Sequence, residues 1–245
     1  MDEGGININN QFIQGFTIDW RKISPDSYLR KIDAIKDIER LDFHKPVTFF
    51  VGENGSGKST LLEAIAVSYG FNPEGGTKNY SFSTYDSHSE LCDVIRIAKG
   101  IRRPKGGYFL RAESFYNVAT KEEEYSGIYS ERYHAKSHGE SFLAIVQNYM
   151  REDGIYLFDE PEAALSPQRQ LTLLADIYKC AKSGAQFIIV THSPILLGMP
   201  DAELYSFDDG KIHLCEYEET DSYIVTEMFM NNRKNLLYRL LNEDL

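Results

Sequence analysis

The sequence predicts an α/β protein whose mostly parallel sheet is covered by helices on both faces. Short apolar runs rich in β-branched and aromatic residues recur along the chain, and stretches with helical periodicity separate them. The chain has 245 residues, a length that suits one α/β domain or one domain with a small insertion. Hydrophobic residues make up 42% of it, which is enough apolar material for a core.

The first predicted elements lie before residue 52. Residues 11–20 alternate in polarity and predict a strand. Residues 28–41 carry apolar side chains at three-residue steps, and we interpret them as an amphipathic helix. The run VTFFV at Val47–Val51 is β-branched and aromatic throughout and predicts a buried strand.

Three further segments follow a glycine-rich turn. Residues 60–69 predict a helix, and residues 70–90 are rich in Gly, Ser, Thr and Asn and predict a loop. Residues 107–112 predict a second short strand. The same alternation therefore continues through the first half of the chain.

The second half repeats the pattern. Residues 117–136 are charged and rich in tyrosine, and we expect a helical subdomain there. Helices are predicted at residues 140–151 and 167–181, and strands at residues 155–158 and Gln186–Val190. The chain is thus expected to be one domain over residues 1–245, with a helical insertion at about 117–150.

The C-terminal segment has two interpretations. Apolar residues recur from residue 223 onward, so a helical tail is expected at about 221–245. It either packs on the core as one or two amphipathic helices or binds a partner.

Composition excludes several classes of protein. The formal charge is −11, which argues against a protein that coats nucleic acid by charge alone, although residues 201–245 carry −7 of it. Three separate cysteines support neither a disulfide framework nor a structural zinc site. The sequence shows no signal-peptide pattern and no long apolar run, so we expect a soluble, cytoplasmic protein without membrane insertion.

The turn after the strand Val47–Val51 matches a phosphate-binding motif. Residues 52–60 read GENGSGKST, a full match to GxxxxGK[ST] between a strand and a helix. The glycines allow backbone N–H groups to converge on phosphate oxygens, and the helix directs its positive end at the same anion. Lys58 can reach the β- and γ-phosphates, and the Ser59 hydroxyl can bind Mg²⁺. The predicted nucleotide-binding residues are Glu53, Asn54, Gly55, Ser56, Gly57, Lys58, Ser59 and Thr60.

A pair of carboxylates follows another apolar strand. Residues 155–162 read IYLFDEPE. Asp159, at the end of the strand, is placed to hold Mg²⁺ directly or through water. Glu160 is the candidate general base that polarises the attacking water.

With these motifs the sequence resembles the ATP-binding-cassette superfamily, and more closely its soluble branch near the SMC and RecF-type ATPases. The resemblance covers most of residues 45–195. It implies a P-loop NTPase fold with a mostly parallel sheet, antiparallel edge strands and a small helical subdomain. It also implies that two copies enclose ATP between them.

Three further motifs are assigned by this resemblance. The tetrapeptide Ser137-His138-Gly139-Glu140 lies where the family has its signature motif, which contacts the γ-phosphate held by the opposite subunit. His138 and Glu140 depart from the usual glycine and glutamine, and Ser137 could instead simply cap the following helix. His192, in the sequence THSP, resembles the family's switch histidine, which would make it catalytic together with Glu160 and Lys58. Residues 163–167 correspond to the D-loop, with Ser166 in place of the usual aspartate.

Two family features have less definite counterparts. Glu113 is the candidate for the Q-loop residue that bridges Mg²⁺ and water, although an exposed acidic loop residue would look the same. Trp20 and Phe43 are both candidates for the aromatic side chain that stacks on adenine, and the sequence does not choose between them.

A basic stretch remains outside these motifs. Residues 96–111 carry six Lys and Arg residues and no acid. They could contact a nucleic-acid backbone or an acidic partner, or form a solvated loop or hairpin edge.

The resemblance implies a function of several parts. We expect Mg²⁺-dependent binding and hydrolysis of ATP by a homodimer that drives or switches an effector protein or nucleic acid. DNA repair, phage defence and toxin systems are the settings that relatives suggest. The alternatives are the nucleotide-binding subunit of a transporter and a scaffold that dimerises on ATP with little turnover.

Overall fold

The computed structural model describes residues 10–78, 89–111 and 138–242, without the side chains of residues 138–142 and 145. The strands in these residues form two sheets. They are β1 (Ile13–Ile18), β2 (Arg40–Asp42), β3 (Val47–Val51), β4 (Ile95–Lys99), β5 (Gly106–Arg111), β6 (Gly154–Asp159), β7 (Gln186–Val190), β8 (Glu203–Ser206) and β9 (His213–Cys215). The α-helices are α1 (Lys58–Tyr69), α2 (Leu91–Val94), α3 (His138–Tyr149), α4 (Pro167–Lys182), α5 (Pro194–Leu197) and α6 (Asp221–Asn242).

The larger sheet has six strands in the order β5-β6-β7-β3-β8-β9. All neighbouring pairs are parallel except β8 and β9, which makes β9 an antiparallel edge strand. Every residue of β3 and β7 is buried, as expected for strands covered on both faces. The predicted α/β class and mostly parallel sheet are confirmed.

The smaller sheet is antiparallel, in the order β2-β1-β4. The buried Gln186 joins it to the larger sheet, because its side-chain amide accepts a hydrogen bond from Ile13 N and donates one to Ile13 O, both at 2.8 Å. Tyr205 makes a second link by donating from its hydroxyl to Asp42 O at 2.7 Å. The sequence analysis predicted β1 but missed β2 and β4.

Helices cover the two faces of the larger sheet. Helix α1 packs between the two sheets, in a core cluster that includes Leu61, Leu62 and Ile65. Helices α3, α4 and α5 cover the other face, where Leu173 and Ile177 of α4 are buried. The helices predicted at 60–69, 140–151 and 167–181 are confirmed to within two residues at each end.

The helix predicted at 28–41 is wrong. Only Tyr28–Lys31 is helical, as a short 3₁₀ helix, and turns then lead into β2. The error has a physical reason, because tertiary packing decides the conformation of this segment: Leu29 and Ile35 are fully buried in the core cluster around α1. The segment is held by tertiary hydrogen bonds, such as that from Trp20 Nε1 to Ile38 O at 2.6 Å.

The C-terminal tail is one helix with a kink at Asn232. None of its residues is buried, and large apolar side chains such as Met230, Tyr238 and Leu241 are more than two-thirds exposed. Only the start of the helix contacts the rest of the described domain, at α5 and through Tyr223, whose ring centre lies 4.8 Å from that of Tyr217, so packing on the core does not extend along the tail. The helical insertion predicted at 117–136 lies outside the described residues.

Candidate functional site

The phosphate-binding motif forms a tight turn between β3 and α1. Gly52, Gly55 and Gly57 all have positive φ, at 134°, 81° and 95°. A side chain at Gly57 would also lie 2.3 Å from Ile35 Cδ1, so this glycine is required by packing as well as by conformation. Residues 28–41, which were predicted as an α-helix, thus pack against this turn through Ile35.

Lys58 lies inside this turn with only 4% of its surface exposed. Its ammonium donates to Gly52 O at 2.7 Å, to Glu53 O at 2.6 Å and to Ser56 Oγ at 3.3 Å. Burial lowers the pKa of Lys58, although nearby carboxylates, Asp208 first among them, act in the opposite direction. The site therefore holds a desolvated cation that an anionic ligand would stabilise.

Ser59 and Asp159 meet directly below the turn. The Ser59 hydroxyl donates to Asp159 Oδ1 at 2.9 Å, across 100 residues of sequence. Asp159 is the last residue of β6, and Ser59 is in the first turn of α1. The structure thus brings together two of the three residues that were predicted at the Mg²⁺ site; the third, Glu113, lies outside the described residues.

Glu160 follows with an unusual backbone. Its φ of 48° and ψ of 55° lie in the left-handed region, which is rare for a residue other than glycine. Its N–H donates to Val190 O at 2.9 Å, which ties this turn to the end of β7. The side chain remains 41% exposed, so its carboxylate is accessible to solvent.

His192 lies beside Glu160 at the end of the neighbouring strand. The distance from His192 Nε2 to Glu160 Oε1 is 3.9 Å. The His192 backbone N–H donates to Glu162 Oε1 at 2.6 Å. Among the buried side-chain atoms that the structure describes, His192 Nε2 and Glu162 Oε2 have no hydrogen-bond partner. We call residues 191–193, between β7 and α5, the histidine loop. Glu162 holds this loop in place, a role that the sequence analysis did not assign to it.

Gln170 is a second residue that the sequence analysis missed. From the first turn of α4, its amide Nε2 donates to Leu165 O at 3.0 Å. Its Oε1 accepts a hydrogen bond from Ser193 Oγ at 2.6 Å. Gln170 thus connects the predicted D-loop to the histidine loop through one side chain.

Asp208 is the third residue without a prediction. It follows β8, a strand that the sequence analysis also missed. Its Oδ1 accepts from Glu53 N at 2.9 Å and its Oδ2 accepts from Ser206 Oγ at 3.1 Å, so its carboxylate braces the start of the phosphate-binding turn.

Two clefts border the phosphate-binding turn. One, of about 450 Å³, is lined by Gly52, Asn54, His192, Asp208 and residues 220–222. The other, of about 520 Å³, extends from the same turn toward residues 31–34 and 207–210. Both are mostly polar clefts beside the candidate phosphate site.

The remaining predicted residues are placed less completely. Glu113 and Ser137 lie outside the described residues, whereas His138, Gly139 and Glu140 form the start of α3 without described side chains. Phe43 is fully buried, so it is unable to stack on adenine. Trp20 is partly buried and packs against Arg30, whose guanidinium lies 5.8 Å from its ring centre.

Two further observations concern the residues that the structure describes. No helix among the described residues is long and apolar enough to cross a membrane. The described residues also contain no group of three or more His, Cys, Asp or Glu side chains that could hold a metal by themselves.

Comparison with protein families gives two matches. A family model described as an AAA domain matches residues 28–154, about half of the chain. A second, described as an AAA domain, putative AbiEii toxin, of a type IV TA system, matches residues 140–198. Together they span the phosphate-binding turn, the carboxylate pair and the histidine loop.

Individual relatives are more distant. The phosphate import ATP-binding protein PstB 1 of Vibrio cholerae is 26% identical, over 91% of this chain and 90% of its own. The arginine transport ATP-binding protein ArtP of Escherichia coli K12 is 24% identical, over 76% of this chain and 86% of its own.

Among solved structures, an SMC head bound to the C-terminal winged-helix domain of ScpA has the same fold. It is 17% identical with a TM-score of 0.50, over 85% of this chain and 99% of that one. The sequence and structural comparisons agree on a P-loop NTPase fold.

Proposed function

Because the chain belongs to the AAA domain family, we propose that it is a Mg²⁺-dependent ATPase whose two copies close around ATP. Its relatives include ATP-binding proteins of the cassette kind, which supports an ATPase of that general class. Beyond this class, we propose that the chain itself hydrolyses ATP, that it forms a dimer, and that its ATP cycle drives a partner.

The observation that carries the proposal is the hydrogen bond between Ser59 Oγ and Asp159 Oδ1. It joins the phosphate-binding turn to the strand end that bears the candidate base, Glu160. Carboxyl ends of parallel strands are the place where open α/β sheets bind ligands. The side chains needed to hold ATP and to attack it thus share one edge of the sheet.

The Ser59 hydroxyl and the Asp159 carboxylate are suitable ligands for Mg²⁺. Mg²⁺ prefers oxygen ligands and is commonly bound by one or two protein groups, with water and substrate phosphates completing its shell. Ser59 and Asp159 would hold it, and when bound it would offset the negative charge of the β- and γ-phosphates.

The protein groups around this position have complementary tasks. Lys58 would exchange its contacts with loop carbonyls for contacts with phosphate oxygens. The negative charge of the phosphates would then stabilise the ammonium that burial has desolvated. The exposed carboxylate of Glu160 would accept a proton from the attacking water. His192, with its unpartnered Nε2 next to Glu160, would contact the γ-phosphate or that water.

The second copy would complete the site. We propose that the segment Ser137–Glu140 of one subunit contacts the γ-phosphate bound by the other. The start of α3 supports this, because a helix N-terminus favours an anion. Glu113, two residues after the end of β5, remains the proposed link between Mg²⁺ and water.

ATP hydrolysis by purified protein tests the proposal. Glu160→Gln should lower the turnover rate by about 10²–10⁴-fold and leave ATP affinity intact, because it removes only the base. Lys58→Ala should abolish ATP binding, measured with a fluorescent ATP analogue. Glu218→Gln, an exposed glutamate outside the site, is the matched control and should behave as wild type. Equal turnover by wild type and Glu160→Gln would show that Glu160 is not the base.

Two kinds of partner are supported by different observations. The match to a putative toxin model favours a soluble effector, which agrees with the SHGE sequence in place of a transporter-like signature. The two transport ATP-binding relatives favour a membrane permease instead. ATPase activity that rises only with a co-purified membrane protein would support the second candidate over the first.

A further inference from the structure

A groove lined by basic side chains lies away from the ATP site. It has a volume of about 1010 Å³ and runs between the smaller sheet, the start of β5 and the end of α3. We call it the basic groove, and the cationic residues that line it are Lys78, Lys99, Arg102, Arg103, Lys105 and Arg151. Four of them belong to the basic stretch singled out in the sequence.

The groove and the ATP site are at opposite ends of the sheet. Gly106 and Gly107, at the amino end of β5, line the groove. The phosphate-binding turn, Asp159 and His192 follow the carboxyl ends of β3, β6 and β7. Because β5, β6, β7 and β3 are parallel, these two ends point in opposite directions. A ligand in the groove would leave the nucleotide site open.

The positive charge of the groove is only partly neutralised. Asp153 forms ion pairs with Arg102 and with Lys105. None of the described residues that line the groove is acidic. Within the described part of the chain, Lys78, Lys99 and Arg103 form no ion pair.

Lys78 and Lys99 are held close to each other by one aromatic ring. The Lys78 ammonium lies 3.7 Å from the centre of the Tyr69 ring, and that of Lys99 lies 5.0 Å from the same centre. Burial, and secondarily repulsion from Lys99, lower the pKa of Lys78 to about 8. Two like charges arranged in this way would be stabilised by a bound anion.

The aromatic side chains of the groove are already engaged. Tyr69 carries the two ammonium groups, and Tyr149 packs on Tyr108 with ring centres 4.8 Å apart. Both aromatic side chains among the described lining residues thus already have partners. Small-molecule pockets also combine an apolar lining with few polar groups, whereas this groove is cationic and open.

We propose that the basic groove binds the phosphate backbone of nucleic acid without reading its sequence. Separate cations at the groove suit successive phosphates along a strand, and contacts to phosphates carry no direct sequence information. The proposal concerns a second site and is independent of ATP turnover. The acidic total charge of the chain is compatible with it, because the groove is a local feature.

Fluorescence anisotropy of a labelled DNA duplex and of its single strand, over a series of salt concentrations without nucleotide, tests the proposal. If four or five phosphates are neutralised, log K should fall with log salt with a slope of about −4 for the duplex. The double variant Lys78→Gln/Lys99→Gln should reduce the magnitude of that slope by about 2. At 0.1 M salt it should weaken binding by about tenfold or more.

The matched control has the same change in charge elsewhere. Lys22→Gln/Lys179→Gln neutralises two exposed lysines outside the groove and should bind DNA as wild type does. Binding of a fluorescent ATP analogue by the groove variant should be unchanged, which separates this test from that of the ATPase. Three results would each overturn the proposal: no binding of either DNA by wild type, equal losses in both double variants, or binding of inorganic tripolyphosphate but not of DNA.

Discussion

At the scale of single residues, the backbone of Glu160 distinguishes the site. A left-handed conformation costs a residue with a side chain about 1–2 kcal/mol, so the surrounding structure must hold it. Glu160 N donates to Val190 O at 2.9 Å, and Glu160 O accepts from Ala163 N at 3.1 Å. Strain held in this way is common at functional sites, where it aims a side chain. Here it keeps the carboxylate beside His192.

Glu162 allows the role of the histidine loop to be tested. Glu162→Ala removes the acceptor of the His192 N–H, and an unpaired buried donor costs about 1–3 kcal/mol. We expect the loop to shift, the turnover rate to fall and ATP affinity to remain. Steady-state kinetics together with binding of a fluorescent ATP analogue would show this separation.

The conservative variant provides the control. Glu162→Gln keeps an oxygen that can accept the same hydrogen bond, so it should restore much of the turnover. If Glu162→Ala turns over ATP as fast as wild type, the histidine loop does not need this contact.

The sequence was informative about those residues whose motifs are contiguous. Lys58, Ser59, Asp159 and Glu160 are predicted by short patterns after apolar strands, and the structure brings Ser59 and Asp159 into contact. Glu162 could have been found from its place beside Glu160, but its partner lies 30 residues away. Asp208 contacts a turn 155 residues away, and no local pattern marks such a pairing.

At the scale of elements, α4 connects two loops of the site. Its residue Gln170 binds Leu165 O on one side and Ser193 Oγ on the other. The Ser193 hydroxyl also accepts from Leu196 N at 3.2 Å and so caps α5. Residues 163–167, the histidine loop and the start of α5 are therefore expected to move together.

This connection predicts a loss of stability. Gln170→Ala leaves both partners without their hydrogen bonds, which should lower the free energy of unfolding by about 1–3 kcal/mol. Gln168→Ala, an exposed position two residues earlier on the same helix, is the control and should change it by less than about 0.5 kcal/mol. Urea denaturation measures both, and equal stabilities of the two variants would contradict the connection.

Elements were predicted best where they are buried on both faces. Strands β3, β6 and β7 are mostly apolar runs of five or six residues, and this short length favours a strand over a helix. Strands β2 and β4 are short and partly exposed, and they are defined by pairing with β1 rather than by their own pattern. Residues 28–41 show the same limit, because tertiary contacts with the phosphate-binding turn decide their conformation.

At the scale of the whole molecule, the fold places two candidate binding sites at opposite ends of the larger sheet. One end carries the candidate ATP site and the other carries the basic groove. Helix α6 begins at Asp221, which lines a cleft beside the phosphate-binding turn, and continues with exposed apolar side chains. A partner bound at the start of α6 would therefore be close to the candidate nucleotide site.

Closure of two copies around ATP is the central claim, and its most direct test is the mass of the Glu160→Gln protein measured by light scattering during size exclusion. With Mg-ATP the variant should elute at about twice the 28.0 kDa of one chain, because ATP bound without hydrolysis should hold the two copies together. Without nucleotide it should elute as a monomer. A variant that binds ATP tightly but keeps the monomer mass would contradict the account.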